Sequence, residues 1–146
     1  MSSTQFCTFL LDGALYGVDV QEVQEVIRYQ EMTRVPRAPE VVSGLINLRG
    51  QIVTAIDLRR RLALPPRPAG EDPMNVVLRT EDGAVSLLVD SIGDVLTLSE
   101  QEYEPTPAML SKAQRELLRG VYKLEKQLLL VLETRGLLEF AQGAAH

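Results

Sequence analysis

Apolar residues recur along most of this chain at the short spacing of β-strands. Phe6 to Leu11 is an aromatic and aliphatic run, and Asp12-Gly13 follows it as a hairpin turn signal. Leu15, Tyr16, Val18 and Val20 carry a second strand. Gly17 within it suits either a bulge or the close approach of another segment. The period then changes: Val20, Val23, Val26 and Ile27 are spaced 3, 3 and 1, which predicts a short helix with Gln21, Glu22, Gln24 and Glu25 facing away. Pro36 and Pro39 end that pattern, and Pro39-Glu40 predicts a second short helix closing near Ser43-Gly44. Leu45–Leu48 and Ile52–Leu58 read as strands. In the second, Ile52, Thr54, Ile56 and Leu58 share one face and Val53, Ala55 and Asp57 the other, so both sides are at least partly covered.

The segment 64–73 holds four of the eight prolines and reads as an exposed, semi-stiff connection. Asn75–Arg79, the turn Glu81-Asp82-Gly83 and Ala84–Asp90 predict a further hairpin. Ser99-Glu100-Gln101-Glu102 has the spacing of a capping box. A helix is expected over Ser111–Arg119, closed by Gly120. Val121–Leu124 with Leu128–Leu132 predicts a last hairpin, and Gly136–Phe140 a terminal helical turn. One unit occurs twice. Strand, Asp12-Gly13, strand and Val23-x-Glu25-Val26 are echoed by strand, Asp82-Gly83, strand and Ile92-x-Asp94-Val95, as if two small barrels followed one plan. Residues 1–146 are long enough for one domain with its own core, with order expected over about 5–140.

Composition narrows the function classes. The chain has 15 Lys+Arg against 20 Asp+Glu, a formal charge of −5, one Cys and one His. The acidic balance argues against a general binder of nucleic acid or anionic membrane. The lone histidine, His146, leaves no basis for histidine-centred catalysis or a histidine-ligated metal. Cys7 cannot pair within the chain, which fits a reducing compartment. The longest apolar run, Leu128–Leu132, falls far below the roughly 20 residues of a spanning helix, and no signal peptide is visible. A cytoplasmic location without membrane insertion is expected.

No pattern for phosphate or cofactor binding is present, since Gly44 and Gly50 have no Gly-Lys-Ser/Thr element beside them. Asp57, Asp90 and Asp94 suit turn and cap chemistry better than a carboxylate site. Cys7 reads as a small buried hydrophobe. An enzyme is not expected, and neither is a cofactor. Arg59-Arg60-Arg61, with Arg49 and Arg67, is the one concentration of positive charge; it reads as a solvated rim or as a docking edge for an acidic protein face. Val23, Ile92 and Val95 occupy equivalent places in the two halves. They either plug the barrel ends or line an apolar groove for a partner helix.

At Gly44-Leu45-Ile46-Asn47-Leu48-Arg49-Gly50-Gln51-Ile52-Val53-Thr54-Ala55-Ile56-Asp57-Leu58 the chain resembles the CheW family of chemotaxis coupling proteins. Tyr16–Val20 with Val23–Val26, Val35-Pro36 with Ala38-Pro39, Leu88–Leu96, and Gly120–Leu124 followed by Leu128–Leu132 match in the same order. The resemblance implies a mainly β fold of two SH3-like five-stranded barrels packed and intertwined, with short helices. It also implies a non-enzymatic scaffold between a CheA-type histidine kinase and the cytoplasmic tips of methyl-accepting chemoreceptors, with other CheW-like proteins as ring neighbours. On that basis Val23, Gly44, Ile92 and Val95 are expected in or beside the receptor groove. Glu25 and Met74 are expected at the contact with the kinase regulatory domain, and Glu104 and Met109 at a second ring contact. Asn47, Arg49 and Gly50 are expected to support coupling through architecture, Arg49 as a buried or half-buried, paired arginine.

Two departures from the family pattern stand out. Thr54 replaces a usual proline, with its effect expected at a strand edge, and Glu104 stands where a basic residue is common. The alternative to the scaffold is a small acidic β-barrel that binds nucleic acid or a ligand through Arg59–Arg61.

Overall fold

The computed structural model describes residues 3–99, 103–104 and 106–138. Eleven strands occur among them, β1 (Ser3–Leu11), β2 (Ala14–Asp19), β3 (Val23–Ile27), β4 (Val42–Leu48), β5 (Gln51–Asp57), β6 (Met74–Thr80), β7 (Gly83–Val89), β8 (Ser91–Ser99), β9 (Tyr103–Glu104), β10 (Leu118–Lys123) and β11 (Leu128–Leu132). The helices are short: α1 (Leu58–Arg61) and α2 (Lys112–Leu117), with one 3-10 turn at Val20–Glu22 and a helical turn over 134–138. No helix is long and apolar enough to cross a membrane among the described residues.

Two sheets form. One has the order β8-β1-β2-β11-β10-β9 and the other β3-β6-β7-β5-β4. The expected pair of small barrels is thus present, with the two-residue β9 added to five longer strands. All three predicted hairpins are made, β1–β2 around Asp12-Gly13, β6–β7 around Glu81-Asp82 and β10–β11 between Lys123 and Leu128. The strand after each of the first two pairs with the first strand of the other: β3 lies on β6, and β8 lies on β1. The repeated unit is therefore real, but its third strand is exchanged between the sheets.

Three cores follow from strands that bury both faces. Ile46, Leu48, Val53 and Val77 fill one sheet, and Phe6, Leu15, Tyr122, Leu129 and Val131 fill the other. Between the sheets lies the largest cluster, with Phe9, Tyr16 and Val18 from one side and Ile56, Val76 and Leu87 from the other. Alternate residues of β11 point into different cores, Leu129 and Val131 into one and Leu130 and Leu132 into the other. A continuous apolar run is what such a strand requires.

Several local expectations need correction. Residues 23–27 are a strand, not a helix. A bulge between Val23 and Glu25 inserts Gln24, so alternate apolar positions fall three apart and mimic a helical period. The Ile92–Val95 spacing has the same origin, a register shift opposite Cys7 and Phe9, so this segment is strand β8 and not a helical turn. Pro39 opens only a single turn, with Val42 N–H donating to the Pro39 carbonyl at 2.9 Å, and β4 begins there. Helix α2 stops at Leu117; Gly120 lies within β10 and caps nothing. Gly17 sits in regular register opposite Thr8, and an added Cβ would come 3.1 Å from Leu129, so it serves close approach and not a bulge. Thr54 lies in β5, between β4 and β7, and so not at an edge. The Ser99–Glu102 capping box lies outside the described residues beyond Ser99.

Candidate functional site

Strands β3 and β8 are both terminal in their sheets. Val23 and Ile92 are half-buried and pack against the core between the sheets, as plugs would. Val95 differs: it is 57% exposed on β8, while Val26 on β3 is 37% exposed. The bulge in β8 falls between Ile92 and Val95, so the two differ in exposure, while Val26 lies beyond the bulge of β3 in regular register. Val95 on β8 and Val26 on β3 are thus exposed apolar residues on terminal strands of the two sheets, while Val23 and Ile92 pack inward. Met74, at the start of β6, is half-buried against the same core.

The Asn-Leu-Arg-Gly motif builds the β4–β5 turn. Arg49 (φ +53°) and Gly50 (φ +89°) are both left-handed, which a two-residue hairpin of primed type demands. Asn47 Oδ1 accepts the Gly50 N–H at 2.9 Å and closes that turn. The turn carries the Arg49 guanidinium onto the Glu25 carboxylate, with Gln24 donating to the same oxygen at 3.2 Å. The Arg49 hydrogen bond, then that from Gln24, holds the Glu25 carboxyl below its ordinary range. Contrary to the expectation of a buried or half-buried arginine, the Arg49 side chain is 68% exposed, although it is paired. Two residues expected in different roles thus meet in one ion pair.

Gly44 is buried. A Cβ there would lie 2.7 Å from the Thr33 carbonyl oxygen and 3.0 Å from Met32 Cβ, because residues 33 and 45 exchange two backbone hydrogen bonds of 2.8 Å. Its absent side chain serves the packing of the 32–45 segment.

Glu104 and Met109 are exposed, Met109 by 90%, and Glu104 lies on β9 at the outer edge of its sheet. Tyr103 holds that strand in place. Its ring meets Tyr122 edge-on at 5.3 Å and its hydroxyl donates to the Arg119 carbonyl at 2.6 Å. Only glycine leaves room for the ring: a Cβ at Gly120 would lie 2.0 Å from the Tyr103 hydroxyl oxygen. Gly120→Ala is expected to expel the ring and cost about 1–3 kcal/mol, the sum of an aromatic pair and a hydrogen bond. Urea titrations of Gly120→Ala, Tyr103→Ala and the double variant check this. The two losses should fail to add, and additive losses would show that the latch does not exist.

The arginine cluster does not form one solvated rim: Arg59, Arg61 and Arg67 turn inward, whereas Arg60 and Arg49 are exposed. Arg59 is buried and makes a two-bond fork on Asp90, with Nε 2.9 Å from Oδ1 and Nη2 2.6 Å from Oδ2. Its Nη1 donates to the Pro65 carbonyl at 2.9 Å, and Arg67 reaches Asp90 Oδ1 from the proline-rich segment at 3.2 Å through Nε. Asp90 Oδ2 also accepts the Asp12 N–H at 2.8 Å. Arg61 donates to the carbonyls of Gly136 and Leu137. Of the three consecutive arginines, only Arg60 turns outward. Successive residues on a helix are about 100° apart, so three arginines of α1 cannot share one face. That geometry was available in the sequence once α1 was recognised.

The aspartates divide in the same way. Asp57 caps α1 by accepting the Arg59 N–H at 3.1 Å, Asp90 holds the arginines, and Asp94 is exposed on β8. Burial raises the Cys7 thiol, consistent with an inert core residue. Among the described residues no three His, Cys, Asp or Glu side chains are grouped to hold a metal.

Comparison with known proteins gives one consistent answer. Residues 5–142 match the CheW-like domain family. The chain is 33% identical over 140 residues to the chemotaxis protein CheW of Klebsiella aerogenes, covering 96% of this chain and 84% of that one. It is 31% identical to the Bacillus subtilis chemotaxis protein CheW, covering 90% and 84%. The crystal structure of the scaffolding protein TtCheW from Thermoanaerobacter tengcongensis superposes with a TM-score of 0.83 at 28% identity, covering 94% of each chain.

Proposed function

The chain belongs to the CheW-like domain family, and from that premise we propose that it is the non-enzymatic scaffold coupling methyl-accepting chemoreceptors to a CheA-type histidine kinase. The family couples chemoreceptors with CheA in chemotaxis, and the finer assignments to this chain's residues are ours. The carrying observation is the pair of bulged edge strands, which leaves Val95 outward over a supported apolar base. Val95 and Val26, backed by Val23 and Ile92, receive an apolar face of a receptor helix. Gly44 contributes by holding the neighbouring backbone. Glu25, oriented by Arg49, and Met74 face the kinase regulatory domain. Glu104 and Met109 form the second ring contact; the acidic Glu104 selects a partner that offers Lys or Arg there.

Val95→Asp tests the receptor face. Burying an unpaired carboxylate should weaken retention of a receptor cytoplasmic fragment at least about tenfold while the thermal midpoint stays near that of the parent. Unchanged pull-down would remove Val95 from the receptor site. The nucleic-acid alternative rested on Arg59–Arg61, of which Arg59 and Arg61 are taken up by contacts within the fold and only Arg60 faces outward.

A further inference from the structure

An open cleft of about 790 Å³ lies along the 34–43 segment, which ends at Ser43 beside Gly44, and its lining contains no residue assigned above to a receptor or kinase contact. It is lined by Arg34, Pro36, Arg37, Glu40, Asp57 and Arg60 among others. Three features mark it. Its wall is stiff: residues 33 and 45 are bonded in both directions, Val42 N–H is tied to the Pro39 carbonyl, and Asp57 N–H to the Val41 carbonyl at 2.7 Å. Its rim is strained: Val35-Pro36-Arg37-Ala38 closes with Ala38 N–H on the Val35 carbonyl at 3.3 Å, and Arg37 takes φ +64°. A turn with proline second and a left-handed third residue ordinarily has Gly or Asn in the place of Arg37. Such strain persists only where the surrounding structure holds the residue in place.

Its charge is unbalanced. Arg60 spans both carboxylates, 3.3 Å from Glu40 and 3.7 Å from Asp57. The side chains of Arg34 and Arg37 are exposed and have no ion pair or hydrogen bond among the described residues. An acidic chain thus leaves two free cations on a rigid proline loop.

We propose that this cleft binds a short acidic segment of a partner protein, with two of its carboxylates on Arg34 and Arg37. At about 790 Å³ the cleft is far larger than a single small anion, and the prolines and Ala38 offer apolar flanks for a peptide backbone. A nucleic acid fits less well, since no aromatic side chain lines the cleft and the chain carries −5 overall.

The test uses the full chain alone, so it does not depend on the receptor or kinase reading. Fluorescein-labelled hexaglutamate is titrated by anisotropy at low and high salt, with hexaglutamine as control. Hexaglutamate should bind, more weakly at high salt, and hexaglutamine should not. The Arg34→Gln/Arg37→Gly double variant should lose about tenfold in affinity, each exposed charge contact being modest alone. Its thermal midpoint should hold or rise, because glycine takes the left-handed turn without strain. Amide shifts of the parent with hexaglutamate should cluster on residues 34–43 and 60, which decides the site independently of any variant. Equal binding of the two peptides, shifts elsewhere, displacement by equimolar inorganic phosphate, or preference for a DNA oligonucleotide would each overturn the proposal.

Discussion

Asp90→Asn is expected to lower the unfolding free energy by about 3–5 kcal/mol at neutral pH, the usual cost of stranding a buried charge. Arg59 and Arg67 have side chains only 8% and 11% exposed, and both direct their charge at this one carboxylate. Asparagine keeps the shape and removes the charge. The same carboxylate joins α1, the proline-rich segment, the β1–β2 turn and the point where the chain enters β8, so its loss loosens four places together. The pH dependence supplies a second check. Burial alone would raise the Asp90 carboxyl. The Arg59 hydrogen bond, the Asp12 N–H and the charges of Arg59 and Arg67 together outweigh it and leave the group below its ordinary value. A carboxyl lowered in the folded state contributes stability above its unfolded value of about 3.9 and loses it as pH falls toward the folded value. Urea midpoints of parent and variant should therefore stay well apart from neutrality down to about pH 5 and converge below about pH 4. A gap that persists in acid, or none at neutrality, would refute this account.

Gly44→Ala is expected to cost about 1–3 kcal/mol, the range for forcing atoms into a packed site. The atom in the way is a backbone oxygen 2.7 Å off, so the 33–45 bridge must open for the methyl group to enter. Hydrogen exchange reads this locally: the Thr33 and Leu45 amides should be protected in the parent and exchange faster in the variant. The measurement also separates two roles for Gly44. Weakened receptor binding with unchanged exchange and thermal midpoint would make it a contact residue, and the packing argument would fall.

Much of the fold is legible in the residues. Asp12-Gly13 and Asp82-Gly83 mark hairpins that form, and the apolar run Leu128–Leu132 is a strand because it serves two cores. The misread segments share a cause. One inserted residue, Gln24 in β3 and its counterpart in β8, shifts apolar positions from a spacing of two to three, and the pattern then reads as helix. A bulge is defined by what lies across the ladder, and partner strands more than 50 residues away are not visible locally. The candidate site divides similarly. Glu25 and Arg49 could be named separately, but their pairing depends on a hairpin reaching across a sheet. Arg59 could not be placed inside without knowing that Asp90 waits there. Gly120 signals a helix end by its position, whereas its actual use, a seat for Tyr103, arises only when β9 lies on β10.

The nesting of the sheets also sets an order of assembly as the chain emerges during synthesis. Residues 23–89 contain every strand of the β3–β7 sheet and can complete it as soon as they are made. The β1–β2 hairpin is made first, yet must wait for β8 to cover one flank and β11 the other. Closing those ladders brings together residues about as far apart as Phe6 and Leu96, a slow and entropically costly step. The amino-terminal hairpin thus stays open-edged longest, and the exposed apolar faces of Phe6, Phe9 and Tyr16 are what a chaperone would meet on the ribosome-bound chain.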